Sequence, residues 1–249
     1  MINDELNLID AETDSPLDRV DAVHAVGDIP PPDPDRMLEL LQSDKAEERM
    51  LAARAFCELE DKRSIPILIE LLKDVCPLIR VSTTYALGRN PDIKAVEPLI
   101  ELLAQDFNGY VRKGIVWALG NSKDRRAVEP LIHALKTDIS AVRLWAASGL
   151  AQIAPLNYED IIAAIPPLIQ GLRRDKTAAV RSNCAWAIGQ LCRELPSNVV
   201  YATAIDALIE SLVEDDDFSV KDDARSAILK VGDPRGLQMI EELEFEGLI

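Results

Sequence analysis

The sequence predicts an all-α fold, a right-handed α-solenoid of stacked helical hairpins with about six repeats behind an N-terminal cap helix. Two recurring phrases and the distance between their copies predict it. The first phrase begins with an aliphatic–basic pair and closes on Ala-Leu-Gly or a relative. It reads Ile79-Arg80…Ala86-Leu87-Gly88, Val111-Arg112…Ala118-Leu119-Gly120, Val142-Arg143…Gly149-Leu150-Ala151 and Val180-Arg181…Ala187-Ile188-Gly189. Looser copies stand at Glu48-Arg49…Ala55-Phe56-Cys57 and Val220-Lys221…Ala227-Ile228-Leu229. The second phrase, Ala-Val-Glu-Pro-Leu-Ile-x-x-Leu, occupies Ala95–Leu103 and Ala127–Leu135, with relatives at Ser64–Leu72, Ala164–Leu172 and Ala204–Leu212.

The basic anchors Arg49, Arg80, Arg112 and Arg143 are 31, 32 and 31 residues apart, and Arg181 and Lys221 follow after 38 and 40. Self-similarity at such a period marks units that cannot bury an apolar face alone and do so on their neighbours. Each unit holds two apolar-periodic runs split by a polar turn, so it is a helical hairpin without a strand. Leucine-rich, WD and kelch repeats need β-segments. The Trp/Gly/Tyr pattern of tetratricopeptide units and the Thr-Pro-Leu-His of ankyrin units are missing. A compact HEAT-like hairpin remains, with Val-Arg on its second helix.

Taken in order, residues 1–14 carry Asp4, Glu5, Asp10, Glu12 and Asp14 without a period, which reads as an acidic tail ahead of a single solenoid over 15–249. Ser15-Pro16 places a helix N-cap before a proline in the preferred order, and that helix runs to Gly27 as a truncated capping repeat. Ile29 to Asp35 contains four prolines and reads as an extended connector, with a proline-rich ligand as the sharper alternative. First helices are then expected near 35–43, 64–73, 96–105, 128–136, 159–173, 201–213 and 234–246. Second helices are expected near 46–60, 77–89, 109–121, 140–153, 178–194 and 218–230. Pro66, Pro98, Pro130 and Pro166 are assigned to first turns, where no intrahelical N–H bond is lost. Pro155 and Pro196 mark the two longer connections, and the acidic end at Glu241–Glu246 suits a C-terminal cap.

Composition narrows the function classes. Hydrophobic residues make up 48% and aromatics only 4%, so the core is aliphatic, as stacked helices require. No apolar run approaches the ~20 residues that span a bilayer, and no basic-then-apolar start suggests a secretory signal. Cys57, Cys76, Cys184 and Cys192 show no pairing pattern, which fits free thiols in a cytoplasmic setting. With 27 basic against 43 acidic residues the formal charge is −16, which argues against nucleic acid and for a basic or mixed-charge protein partner. The ladder of anchor arginines is expected to pair with Asp74, Asp106, Asp138 or Asp175 of neighbouring turns.

Helical geometry sorts each second helix into two sides. At about 100° per residue, offsets +3, +6, +7 and +10 from the anchor form one stripe, the expected core, and it includes Cys184 as a small core residue. Offsets +1, +2, +5 and +9 lie opposite, on what would be the concave wall. They hold Tyr85 and Arg89; Lys113, Trp117 and Asn121; Trp145, Ser148 and Gln152; and Ser182, Asn183, Trp186 and Gln190. Tyr85, Arg89, Trp117, Asn121, Trp145, Asn183, Trp186 and Gln190 are the candidate partner-binding residues, because aromatics dominate interface hot spots and amides bond extended backbone. Rings that fill gaps between repeats are the alternative, and Trp145 sits off the main arc. Gly88, Gly120 and Gly189, at offset +8, suit close helix approach or a helix end.

No catalytic constellation stands out. His24 and His133 lie in different repeats, and no phosphate loop or metalloprotease motif appears. Cys184 and Cys192 sit two turns apart on one helix, too far to share a metal. No catalytic or metal residues are assigned.

The stretches Asn108 to Asn121, Val142 to Ser148 and Arg181 to Cys192 resemble the cyanobacterial phycobilisome lyase-like HEAT-repeat family, most closely its branch of IscA-interacting HEAT proteins. The likeness spans about 15–249. For that branch the resemblance implies a non-catalytic scaffold or chaperone that binds an A-type (IscA) iron–sulfur carrier. For the wider group it implies a phycobilin lyase or lyase subunit attaching bilin to phycobiliprotein cysteines, or a phycobilisome-directed remodelling factor. No motif here fixes a bilin, so no cofactor is expected outside the lyase alternative.

Overall fold

A computed structural model describes residues 32–154 and 157–248. The chain divides into two units, 1–33 and 34–249. The expected acidic tail, cap helix and first part of the proline connector fall outside the described residues. Pro32 and Asp33 are irregular, but Pro34 and Asp35 already belong to a helix. This corrects the connector's end: Pro34 opens the helix, where its missing N–H costs nothing.

Among the described residues the second unit is all-helical. First helices are α1 (Pro34–Leu40), α3 (Ser64–Leu71), α5 (Ile93–Gln105), α7 (Val128–Thr137), α9 (Tyr158–Arg174), α11 (Val199–Glu214) and α13 (Pro234–Phe245). They alternate with second helices α2 (Ala46–Ala55), α4 (Pro77–Arg89), α6 (Gly109–Ser122), α8 (Ser140–Ile153), α10 (Ala178–Cys192) and α12 (Phe218–Val231). A short 3-10 turn, Arg125–Ala127, leads into α7. Starts are set by side-chain caps: Asp92 accepts from the Lys94 amide at 2.8 Å, Asn108 from Tyr110 at 2.9 Å and Asp233 from Arg235 at 3.0 Å.

Two prolines sit deeper than expected. Pro66 and Pro130 fall in first turns, but α5 and α9 begin early enough to leave Pro98 and Pro166 inside them. Each gives up one helical N–H bond, to the carbonyl of Lys94 or of Ile162 on the preceding turn. The caps Asp92 and Asn157 carry these extra turns.

The core follows the expected stripe. Ile79, Ala86 and Leu87 in α4, Ile115 and Leu119 in α6, Ala146 and Leu150 in α8, and Cys184 and Ile188 in α10 are buried. Leu68, Leu99, Leu131, Leu168 and Leu208 of the first helices are buried as well. Full burial of one such side chain stabilises by about 1.5–3 kcal/mol. Second helices pack on one another more closely than first helices do. Small residues permit it: an added β-carbon at Gly120 would lie 2.9 Å from the Gly149 Cα, and one at Gly189 would lie 2.7 Å from the Ala227 Cβ. The glycines therefore serve close approach, one of the two roles expected of them.

Candidate functional site

The anchor arginines tie the hairpins together. Arg112 donates through Nε and Nη2 to both carboxylate oxygens of Asp138, at 2.7 and 2.6 Å, while its Nη1 donates to the Asp106 carbonyl at 2.9 Å. Arg80 repeats this with Asp106 and the Asp74 carbonyl. Arg143 does so with Asp175 and the Asp138 carbonyl, and Arg181 with Asp215 and the Asp175 carbonyl. Arg49 joins through Asp74, and Lys221 ends the ladder on the Val213 carbonyl. Asp215 continues the expected series by one more rung. The ladder is therefore structural, a chain of bidentate pairs from turn to turn.

Burial opposes ionisation of Asp106, Asp138, Asp175 and Asp215. The hydrogen bonds from Arg80, Arg112, Arg143 and Arg181, with a backbone N–H on each, outweigh it and hold these carboxyls below the usual range. Hydrogen bonding to the same carboxylates raises Arg112, Arg143 and Arg181.

The array's other distinctive surface is the layer of second helices. Offsets +1, +5 and +9 from each anchor reach its face. They are Met50, Arg54 and Glu58; Val81, Tyr85 and Arg89; Lys113, Trp117 and Asn121; Leu144, Ser148 and Gln152; Ser182, Trp186 and Gln190; and Asp222, Ser226 and Lys230. Tyr85, Arg89, Trp117, Asn121, Trp186 and Gln190 are among these positions, and Trp145 and Asn183 stand at offset +2.

Tyr85, Trp117 and Trp145 are only 6%, 8% and 8% exposed. They lie down into the gaps between neighbouring second helices rather than standing outward. The Trp117 ring covers Gly88 and packs 5.3 Å from the Tyr85 ring, tilted by 41°. Trp145 has the Lys113 ammonium 5.6 Å from its centroid, a cation–π contact, and burial holds that ammonium below the usual lysine range. Aromatic area gains more from filling a groove opened by a facing glycine than from water.

Two of the amides are also committed. Asn121 Nδ2 donates to the Gly88 carbonyl at 3.2 Å. Asn183 Nδ2 donates to the Leu144 carbonyl and to Ser148 Oγ, both at 2.6 Å. Asn90, unremarked in the sequence, does the same work, donating to the carbonyls of Phe56, Leu59 and Ala86. Of the remaining residues of this face, Arg89 and Gln152 are exposed, and Lys113, Trp186 and Gln190 are half-buried.

These linked hairpins match the HEAT-repeat family over residues 34–113, 96–163 and 165–243. The chain belongs to that family. Solved structures agree on the architecture of the HEAT array. An engineered protein is 26% identical, with TM-score 0.63, covering 80% of this chain and 98% of its own. A designed armadillo repeat protein in complex with the peptide (KR)4 is 23% identical, with TM-score 0.61, covering 80% and 98%. The CpcE–CpcF complex of phycocyanin lyase from Nostoc sp. PCC7120 is 19% identical, with TM-score 0.55, covering 90% and 97%. The last two likenesses show the fold alone. No curated protein matches the sequence.

The HEAT array distributes its charge unevenly. Exposed acids cluster on first helices, as at Glu97, Glu101, Glu129, Glu159, Glu210 and Glu241. The second-helix face instead carries Arg54, Arg89, Lys113 and Lys230 against Glu58 and Asp222. The total of −16 is therefore not spread evenly over the two layers. Among the described residues no group of three His, Cys, Asp or Glu side chains could hold a metal ion. No described helix is long and apolar enough to cross a membrane.

Proposed function

We propose that this HEAT array is a protein-binding scaffold whose second-helix face holds a segment of a partner protein, and that the partner is an A-type iron–sulfur carrier. One observation carries the reading: a continuous face running from α2 to α12, basic and amide-rich, in a chain whose other layer is acidic. A solenoid face of this kind holds extended chains by many small contacts, with a few aromatic and arginine positions dominating. Here Trp186 and Arg89 are those positions, with Gln152 and Gln190 beside them. The designed armadillo protein with its (KR)4 peptide illustrates the mode on a related architecture. The choice of carrier rests on the resemblance of the second-helix phrases.

Titration calorimetry with a purified A-type carrier tests both parts. The reading expects saturable binding, weakened about tenfold or more by Trp186→Ala together with Arg89→Glu, with helicity unchanged. Binding that ignores both substitutions, or none at all, would sink it.

The likeness to the CpcE–CpcF complex supports a second reading, a phycobilin lyase or lyase subunit. Mixing the chain with phycocyanobilin and an apo-phycobiliprotein separates the two. A covalently shifted absorption band on the phycobiliprotein favours the lyase, and an unchanged spectrum beside carrier binding favours the scaffold.

A further inference from the structure

A second surface lies at the edge of the array, where each first helix turns into its second helix. The residue after each ladder aspartate is Val75, Phe107 and Ile139 in three successive repeats, then Lys176 and Asp216. Val75 is 91% exposed, Phe107 100% and Ile139 50%. Leu78 and Tyr110, in the first turns of α4 and α6, extend the strip and are 62% and 75% exposed. Nothing in the turn geometry asks for apolar residues here, since the aspartate and the anchor arginine already close each turn. The strip is also continuous: an added β-carbon at Gly109 would sit 2.5 Å from Ile139 Cδ1, so Ile139 leans across onto the preceding repeat. Single exposed apolar residues are commonplace, but a contiguous run of large ones marks a contact surface.

From Lys73 to Lys176 the exposed charges beside the strip's grooves are basic, and Asp216 at the following turn reverses the sign. Lys73, Lys136, Arg174 and Lys176 are exposed. The ladder carboxylates of these turns, Asp74, Asp106, Asp138 and Asp175, are held by anchor arginines. Two corresponding grooves open here. One is lined by Lys73, Pro77, Leu102, Gln105 and Phe107, and the other by Lys136, Pro167, Gln170, Arg174 and Lys176.

We infer that this edge is a second docking surface, for an extended acidic segment of a partner protein that carries regularly spaced apolar side chains. Charge complementarity fixes the sign. Spacing fixes the pattern: packed helices lie about 10 Å apart and an extended chain rises ~3.3 Å per residue, so one apolar residue in three meets successive turns. A lipid surface fits less well. The exposed acids of the first-helix layer would meet a broad anionic leaflet and repel it, whereas a narrow peptide can keep to the edge.

The probe is a fluorescein-labelled peptide of four Leu-Glu-Asp units, titrated by anisotropy with the full chain at low salt. Saturable binding is expected, weakened about tenfold or more by Phe107→Ser with Tyr110→Ser, and likewise by Lys136→Glu with Lys176→Glu. Trp186→Ala should leave it unchanged, which keeps this site distinct from the second-helix face. These positions are exposed, so the variants keep their fold, and circular dichroism checks it. The inference is overturned by absent or non-saturable binding, by binding insensitive to both pairs, by equal binding of a Leu-Lys-Lys peptide, or by preference for phosphatidylserine vesicles over the peptide.

Discussion

The ring of Trp117 fills the volume that a side chain at residue 88 would need: a β-carbon on Gly88 would lie 2.3 Å from Trp117 Cζ3. The two positions, one repeat apart, define how closely α4 and α6 approach. Gly88→Ala should therefore destabilise by about 1–3 kcal/mol through overpacking. Thermal melts of Gly88→Ala, Trp117→Leu and the double variant check it. The double should be more stable than the sum of the singles predicts, because the smaller residue vacates the contested space.

The ladder predicts a different pattern. Arg143 and Asp175 side chains are 20% and 8% exposed, so Asp175→Ala strands a largely buried guanidinium and should cost about 3 kcal/mol. Urea denaturation should show Arg143→Met with Asp175→Leu recovering much of that loss. The nearest-neighbour logic of repeat arrays adds a spatial readout: faster amide exchange should be concentrated in α7 to α10.

Acid should loosen the array through the same pairs. Asp106, Asp138, Asp175 and Asp215 ionise more readily folded than unfolded. Their contribution is thus complete above the unfolded carboxylate value of about 4 and is lost as pH falls through the folded values. Urea midpoints followed downward from pH 6 should hold and then drop below about pH 4. Asp138→Asn with Asp175→Asn should blunt that drop.

The thiols should fall into two classes. Cys184 and Cys192 are buried; burial pushes the Cys184 thiol far up and the Cys192 thiol up to about 12. Cys57 and Cys76 are half-buried. An aromatic disulfide reagent at pH 8 should titrate two thiols in the native protein and four only in denaturant.

Much of this was legible in the sequence. The period gave the hairpins, the offset rule gave the core stripe through Ile115, Leu119, Cys184 and Ile188, and the arginine–aspartate rungs followed from their spacing. Helical phase assigns a direction to a Cα–Cβ bond, but it says nothing of where a long side chain ends. Tyr85, Trp117 and Trp145 start on the facing ridge and fold into clefts whose depth depends on Gly88 and other small residues one repeat away. The same holds for Asn121 and Asn183, whose acceptors belong to the preceding repeat. The edge strip had a usable signal that periodicity ignores: an apolar residue directly after a ladder aspartate, three times in succession.

A photoreactive residue placed in turn at Gln152, on the second-helix face, and at Glu97, on the acidic layer, gives the most direct measurement of where a partner sits. Both positions are exposed, so neither placement disturbs packing. Irradiated with an A-type iron–sulfur carrier, the chain should crosslink from residue 152 and not from residue 97. Crosslinking from 97 alone, or equally from both, would contradict the scaffold account.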